Sequence, residues 1–319
     1  MLSGARAQNI INLAMQSPLL RVGGNSTIAR VDFEQRSYAV KDYSARADGY
    51  QRLTQEFSAL EFLHPKLPDR FAEPLGIGSD GQRAIYSWLN GTRPVLEQEC
   101  VTHMLDIASE LHLMSKSVTP EQVNPATDQV LTISDLCDQL VERFETLQAA
   151  PGVVADFTKT RALPLLLELM ADHNETGQAA VTLSPSDFGA HNLLWDHETE
   201  QMRCVDLEFF GWDDAHKLTC DSLLHPLAQW SVDAADTFLL GTVATYALDE
   251  ARLIGIWPLL NLKWAAITLA RAQRNLQSGD TSLADQATGL ATAYVNRASQ
   301  EADSLSDIVH QVTRKRGGS

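Results

Sequence analysis

Apolar positions recur along this chain with two different periods, and the change from one to the other falls near residue 90. Thr27 to Phe33 and Ser37 to Tyr43 are β-rich runs joined by a short polar turn at Glu34 to Arg36, which predicts a hairpin. The segment YQRLTQEFSALEFLHP then sets Leu53, Phe57 and Leu60 at helical spacing and stops at Pro65, the pattern of one amphipathic helix. A third strand region, RAIYSWL at 83 to 89, precedes an Asn90-Gly91 turn. From Val95 onward the period is helical: Val101 to Met114, then TISDLCDQLVERFETL, with a Thr132-x-x-Asp135 capping box and apolar Leu136, Leu140, Phe144 and Leu147. Further helical runs are expected over 161–172, 217–231, 235–248, 256–277 and 282–313. One β interruption stands out at 181–209, where Asn192 to Trp195 and Met202 to Leu207 flank the acidic turn DHETE. No repeat of fixed period is present. The expected class is therefore α+β with two lobes, a small β-rich one over residues 1–90 and a larger, mostly helical one over 91–319 that carries a β hairpin.

Composition narrows the partners. With 25 Lys and Arg against 41 Asp and Glu the net charge is −16, so most of the surface would repel phosphate backbones and anionic lipid; no nucleic acid and no membrane partner is expected. The same charge favours a cationic small substrate. Cys100, Cys137, Cys204 and Cys220 form no C-x-x-C pair and no zinc spacing, and are read as reduced, buried thiols. The stretch MLSGARAQNIINLAMQ lacks an apolar core of signal-peptide length. Phe238 to Leu248, taken as the most hydrophobic later stretch, is too short for a bilayer and is interrupted by Gly241. A cytoplasmic compartment is expected.

Candidate chemistry concentrates in SPSDFGAHNLLW, residues 184–195, where two phosphotransfer signatures overlap. Asp187-Phe188-Gly189 reads as a magnesium tripeptide, and Asp187 with Asn192 reads as a catalytic-loop Asp-x-x-x-x-Asn. Under the first reading a catalytic aspartate must lie about twenty residues upstream. The nearby candidate is Asp172, and the position five after it is Gly177 rather than asparagine. Under the second, a metal aspartate must follow one short hairpin later. Asp206 does, because strands over 192–195 and 202–205 would bring Asn192 and Asp206 to the same end despite their separation in sequence. Upstream, Ala39-Val40-Lys41 closes the second strand with a lysine suited to nucleotide phosphates, and Glu56, bordered by Leu53 and Leu60, is placed on the next helix to hold it; Glu61 is the fallback. The stretch Gly23-Gly24-Asn25-Ser26 offers backbone N–H groups for phosphates, with Gly24 as the candidate contact.

Taken in order, Lys41, Glu56, Glu110-Leu111-His112, Asp187-x-x-x-x-Asn192 and Val205-Asp206-x-Glu208 resemble the aminoglycoside phosphotransferase and choline kinase-like superfamily, over about Val22 to Trp230. The resemblance implies a protein kinase-like fold, ATP and Mg²⁺ as cofactors, and a small-molecule hydroxyl acceptor such as an aminoglycoside, sugar or amino alcohol. It implies Asp187 as catalytic base, Asn192 and Asp206 as metal ligands, Glu208 at the second acidic position touching the metal or the surroundings of the activated hydroxyl, and Lys41 on the phosphates. Adenine is expected against Ile85 to Gly91, with Trp88 and Leu89 in contact. This chain departs from the family pattern in having Pro185-Ser186 before the aspartate and Phe188-Gly189-Ala190-His191 between it and the asparagine.

Other expectations compete or extend this reading. A catalytically silent kinase-like binder of nucleotide or partner protein is the alternative, and Asp187, His191, Asp206 and His216 can be drawn as a metallohydrolase cluster. Asp213 and Asp214 are candidates to shape an acidic acceptor pocket, Asp221 a cap or loop anchor, and Trp212 and Trp230 core residues or stacking platforms.

Overall fold

A computed structural model describes residues 1–21, 26–149, 152–172, 177–300 and 302–313, so the expected phosphate contact at Gly24 lies outside the described residues. The chain divides into two compact units: Met1–Val95 with Leu113–Asp128 and Leu183–Trp212, and Leu96–His112 with Gln129–Thr182 and Asp213–Ser319.

In the first unit, α1 (Gly4–Ala14) is followed by β1 (Leu19–Arg21), β2 (Thr27–Phe33), β3 (Arg36–Asp42), α2 (Gly49–Leu63), β4 (Pro74–Ile77) and β5 (Arg83–Ser87). The strands form one sheet in the order β1-β2-β3-β5-β4, with antiparallel neighbours. The expected hairpin forms around Glu34 and Gln35, whose φ values of 48° and 64° match a two-residue turn that continues the strand twist. Strand alternation then sorts β3. Tyr38 and Val40 join Val31, Ile85 and the Ala7, Ile10, Ile11 and Ala14 stripe of α1 in one core, while Ala39 and Lys41 face the other way. α1 and the short strands β1 and β4 are additions to the expected elements. Two of the four positions in the α1 stripe are alanine, so its apolar signal is weak in sequence. After β5 the Asn90-Gly91 turn brings Gly91 to φ 139°, with the carbonyl oxygen of Trp195 only 2.8 Å from where a Cβ would stand, so a side chain does not fit.

Helices dominate the remainder: α3 (Gln98–Ser115), α4 (Ile133–Ala149), α5 (Val153–Phe157), a π-helical turn at Thr158–Ala162 and α6 (Leu163–Asp172). The Thr132 capping box closes reciprocally, Thr132 N–H on Asp135 Oδ2 at 2.9 Å and Asp135 N–H on Thr132 Oγ1 at 3.0 Å. The interruption resolves into β6 (Val181–Ser184), a 3₁₀ turn at Ala190–Asn192, β7 (Leu193–Asp196), β8 (Gln201–Cys204) and β9 (Gly211–Asp214). Then come α7 (Ala215–Leu224), α8 (Val232–Tyr246), α9 (Glu250–Gln277), α10 (Thr281–Ala298) and α11 (Leu305–Thr313).

Three expected spans change. The run at 217–231 ends at Leu224 because His225 precedes Pro226 and takes an extended ψ of 131°. The run at 282–313 divides into α10 and α11, the second opened by Ser304, whose Oγ accepts from Asp307 N–H. The run at 256–277 starts earlier, at Glu250, where Asp249 caps the 28-residue α9 through Ala251 N–H and Arg252 N–H. By length and composition α9 is long enough to cross a bilayer, yet 67% of its most apolar window is buried inside the chain, as in a core helix.

Charges inside the second unit are paired. Asp214 accepts from His216 Nδ1 at 2.7 Å, Arg252 Nε at 2.8 Å and Ala180 N–H at 3.0 Å. Burial alone would raise its carboxyl, but the His216 hydrogen bond and the Arg252 guanidinium outweigh it and hold the group below the usual carboxylate range. A depressed folded value contributes stability above the unfolded carboxyl's pKa of about 3.9, and that stability is lost as pH falls towards the folded value. Asp214→Asn is therefore expected to cost about 3 kcal/mol at pH 7, with the gap to the parent closing below about pH 4. Urea unfolding at both pH values measures it; a gap independent of pH would contradict the assignment.

Candidate functional site

Lys41 sits at the penultimate position of β3, paired across the sheet with Ile28 on one side and Ala84 on the other, and it is 4% exposed. A lysine so buried needs counter-charges. Glu56, also 4% exposed, supplies one: it lies on the face of α2 that buries Leu53 and Leu60, and its Oε2 accepts from Lys41 Nζ at 2.6 Å. Asp206 supplies another at 2.5 Å, from a position 165 residues away in sequence. Glu208 stands 4.0 Å from the same ammonium, and its Oε1 accepts from Arg52 Nη1 at 2.8 Å. Burial pulls the lysine's pKa down, but Asp206, Glu56 and Glu208 more than reverse this, so Lys41 stays protonated well beyond the ordinary range. The fallback Glu61 is exposed.

The second part of the site is the hairpin of β7 and β8, in which Leu193 pairs with Cys204 and Asp196 with Gln201. At its open end Val205 N–H donates to Asn192 C=O at 2.9 Å, so the residues flanking that mouth, Asn192 and Asp206, come together despite the intervening turn. Asp206 holds a left-handed φ of 66°, an uncommon conformation that non-glycine residues keep where surrounding structure imposes it. On the other flank, the Asn192 side chain is fully buried and its Nδ2 donates to Asp187 Oδ2 and to Asp187 C=O, both at 3.1 Å. These bonds orient the amide. Among the described residues nothing donates to the buried Asn192 Oδ1. His191 Nε2 lies 3.1 Å from Asp187 Oδ1. Ser186, immediately before Asp187, is also left-handed, at φ 61°.

A cavity of about 310 Å³ joins the two parts. Lys41, Glu56 and Asp206 line one region, and Tyr86, Trp88 and Leu89 another. Trp88 N–H is engaged by Ser37 C=O at 3.2 Å, and its indole Nε1 donates to Asn90 Oδ1 at 3.1 Å. Tyr43 and Arg52, which the sequence reading did not single out, complete the shell. Each carried a positional signal: Tyr43 is two residues past Lys41 along the strand direction, and Arg52 is one helical turn before Glu56.

Several expected roles are corrected. Asp213 is fully buried and accepts from Lys217 Nζ at 2.6 Å and Val130 N–H at 3.0 Å; with Asp214 bound to His216 and Arg252, neither presents a carboxylate to an acceptor pocket. Asp221 is not a cap: it is buried and accepts from Lys263 Nζ at 2.6 Å and Trp264 Nε1 at 3.0 Å. His216 is unavailable as a metallohydrolase ligand, since its Nδ1 meets Asp214 and its Nε2 accepts from Asp249 N–H at 3.0 Å. Trp230 is a core residue, its ring 5.2 Å from that of Phe238.

No family profile and no curated protein matches the sequence. Solved structures do match. Aminoglycoside phosphotransferase APH(4)-Ia aligns at a TM-score of 0.58 and 17% identity, covering 93% of this chain and 100% of that one. Macrolide 2′-phosphotransferase MphH from Brachybacterium faecium aligns at 0.60 and 12% identity, covering 89% and 98%. An ethanolamine kinase of Plasmodium vivax aligns at 0.58 and 10% identity, covering 92% and 85%. A mutant of APH(4)-Ia similar to this chain at 17% identity was solved as a ternary complex with ADP and hygromycin B. These neighbours belong to the aminoglycoside phosphotransferase and choline kinase-like superfamily, and the chain shares their α+β, kinase-like fold.

Proposed function

We propose that this chain is an ATP-dependent phosphotransferase that moves a phosphoryl group onto a hydroxyl of a small polar molecule, such as an aminoglycoside, sugar or amino alcohol. The observation that carries the reading is the buried ammonium of Lys41, held by Glu56 and Asp206 at one side of a cavity bounded elsewhere by the β5 connection. Phosphoryl transfer asks little covalent chemistry of a protein and much positioning and charge stabilisation, which this arrangement suits.

The base of the nucleotide lies against Tyr86, Trp88 and Leu89; since Trp88 N–H is already engaged, backbone recognition falls to Leu89. Lys41 meets the phosphates and gives up its contact with Asp206 as they enter. Asn192 Oδ1 and the Asp206 carboxylate suit Mg²⁺, being hard oxygen donors of which the first is buried and accepts no hydrogen bond among the described residues. When bound, that ion offsets charge on the phosphates. Glu208 stands behind as the partner of Arg52 and Lys41. Asp187 orients the acceptor hydroxyl and takes its proton as the acceptor oxygen bonds to the γ-phosphorus and the bond to the bridging oxygen of ADP breaks. The neighbour solved with ADP and hygromycin B supports a nucleotide and a hydroxylated small molecule as the ligand classes.

ATP with Mg²⁺ is expected to raise the unfolding temperature, by the equivalent of about 2.7 kcal/mol at a hundredfold excess over Kd, and chelation of the metal should remove most of the gain. ADP release across a panel of hydroxylated metabolites and aminoglycosides then identifies the acceptor. Absence of any nucleotide stabilisation would sink the reading. Stabilisation without turnover on any acceptor would favour the silent binder.

A further inference from the structure

Tyr43, one residue beyond β3, is 0% exposed and is fixed in place by its N–H, which donates to Gln82 C=O at 2.9 Å. Its hydroxyl donates to Glu56 Oε2 at 2.6 Å, the same oxygen that accepts from Lys41 Nζ. Because that proton is committed to Glu56, the 2.9 Å contact with Tyr86 is a bond from the Tyr86 hydroxyl to the Tyr43 oxygen. The ammonium of Lys41 also lies 5.0 Å from the centroid of the Tyr43 ring, within range of a cation–π attraction. One tyrosine thus touches both members of the lysine–glutamate pair, and a chain of hydrogen bonds runs from Tyr86, in the cavity wall, through Tyr43, Glu56 and Lys41 to Asp206.

We infer that Tyr43 is a positioning residue for the phosphate end of the nucleotide site, setting how Lys41 divides itself between Glu56 and Asp206. This rests on the nucleotide reading of the cavity. The Glu56 carboxylate oxygen is shared by two donors, and removing one lets the carboxylate pivot about the other. A lysine with a loosened glutamate moves towards its remaining strong partner, Asp206, and both groups are then less available to phosphate and metal. Burial, Glu56 and Tyr86 keep the Tyr43 hydroxyl protonated, so it remains a donor across the ordinary pH range.

Titration calorimetry of Tyr43→Phe with two ligands tests this. MgATP should bind about tenfold more weakly, the size of one hydrogen bond to a charged group, whereas adenosine, which has no phosphates to meet Lys41, should bind within about twofold of the parent. In a Lys41→Met background the same tyrosine change should leave MgATP affinity unaltered, because the group through which Tyr43 acts is gone. Tyr86→Phe leaves the Tyr43–Glu56 bond and the aromatic ring in place and should show a smaller loss for MgATP, and it serves if Tyr43→Phe does not fold. Equal losses for MgATP and adenosine, or a loss that persists without Lys41, would overturn the inference, as would unchanged MgATP binding in the folded variant. A parent protein that binds neither ligand would overturn the nucleotide reading itself, a different result from a parent that binds both and a variant that matches it.

Discussion

Replacing Asp187 by alanine is expected to lower turnover by roughly three orders of magnitude while MgATP affinity stays near that of the parent. Asp187 is the half-exposed member of the site, its side chain 32% accessible, and its carboxylate oxygens stand 3.1 Å from His191 Nε2 and from Asn192 Nδ2. Neither contact reaches Lys41 or the cavity wall along the β5 connection. Loss of the carboxylate therefore removes the group that orients and deprotonates the hydroxyl, while the Asn192 amide keeps its bond to Asp187 C=O and the nucleotide's other contacts stand. Asp187→Asn, which keeps the shape and can still meet the Asn192 amide, should lose nearly as much turnover. ADP release measured beside calorimetric ATP binding separates the two quantities, and a variant turning over at the parental rate would remove Asp187 from its proposed role.

For Asp206→Asn the expected loss is in binding: MgATP affinity should fall by roughly a hundredfold or more, and the metal dependence of nucleotide binding should largely vanish. Asparagine is the better probe than alanine here, because the residue is left-handed at φ 66° and asparagine tolerates that backbone while removing the charge. The substitution does not strand the lysine, since Glu56 remains at 2.6 Å and Glu208 at 4.0 Å from Lys41 Nζ. Fold stability should thus change much less than nucleotide binding. Calorimetry with ATP, with and without Mg²⁺, measures the difference; an unchanged metal dependence would mean that another group holds the ion.

Much of the local structure could be read from the sequence because burial imposes a period on neighbouring residues. The β2–β3 hairpin, α2 with Glu56 on its apolar border, the capping box at Thr132 and the β7–β8 hairpin follow from alternation, helical spacing and turn chemistry. Asn192 and Asp206 share one hairpin mouth for the same local reason, since antiparallel pairing alone closes that distance.

Where it fell short, the missing information was non-local. α1 depends for its burial on Val31, Tyr38 and Val40 of strands that follow it, and alanines give such a face little signature of its own. An aspartate's spelling is the same at a ligand site and in a buried ion pair, so only the folded chain reveals that Asp213, Asp214 and Asp221 answer Lys217, Arg252 and Lys263. Period and turn chemistry determined the longer strand and helix segments and which face each buries. Tertiary structure decided the partners of the charged groups, down to Lys41 meeting an aspartate 165 residues away, because a buried charge is stabilised by whichever counter-charge the fold delivers within a few ångströms, whatever its distance along the chain.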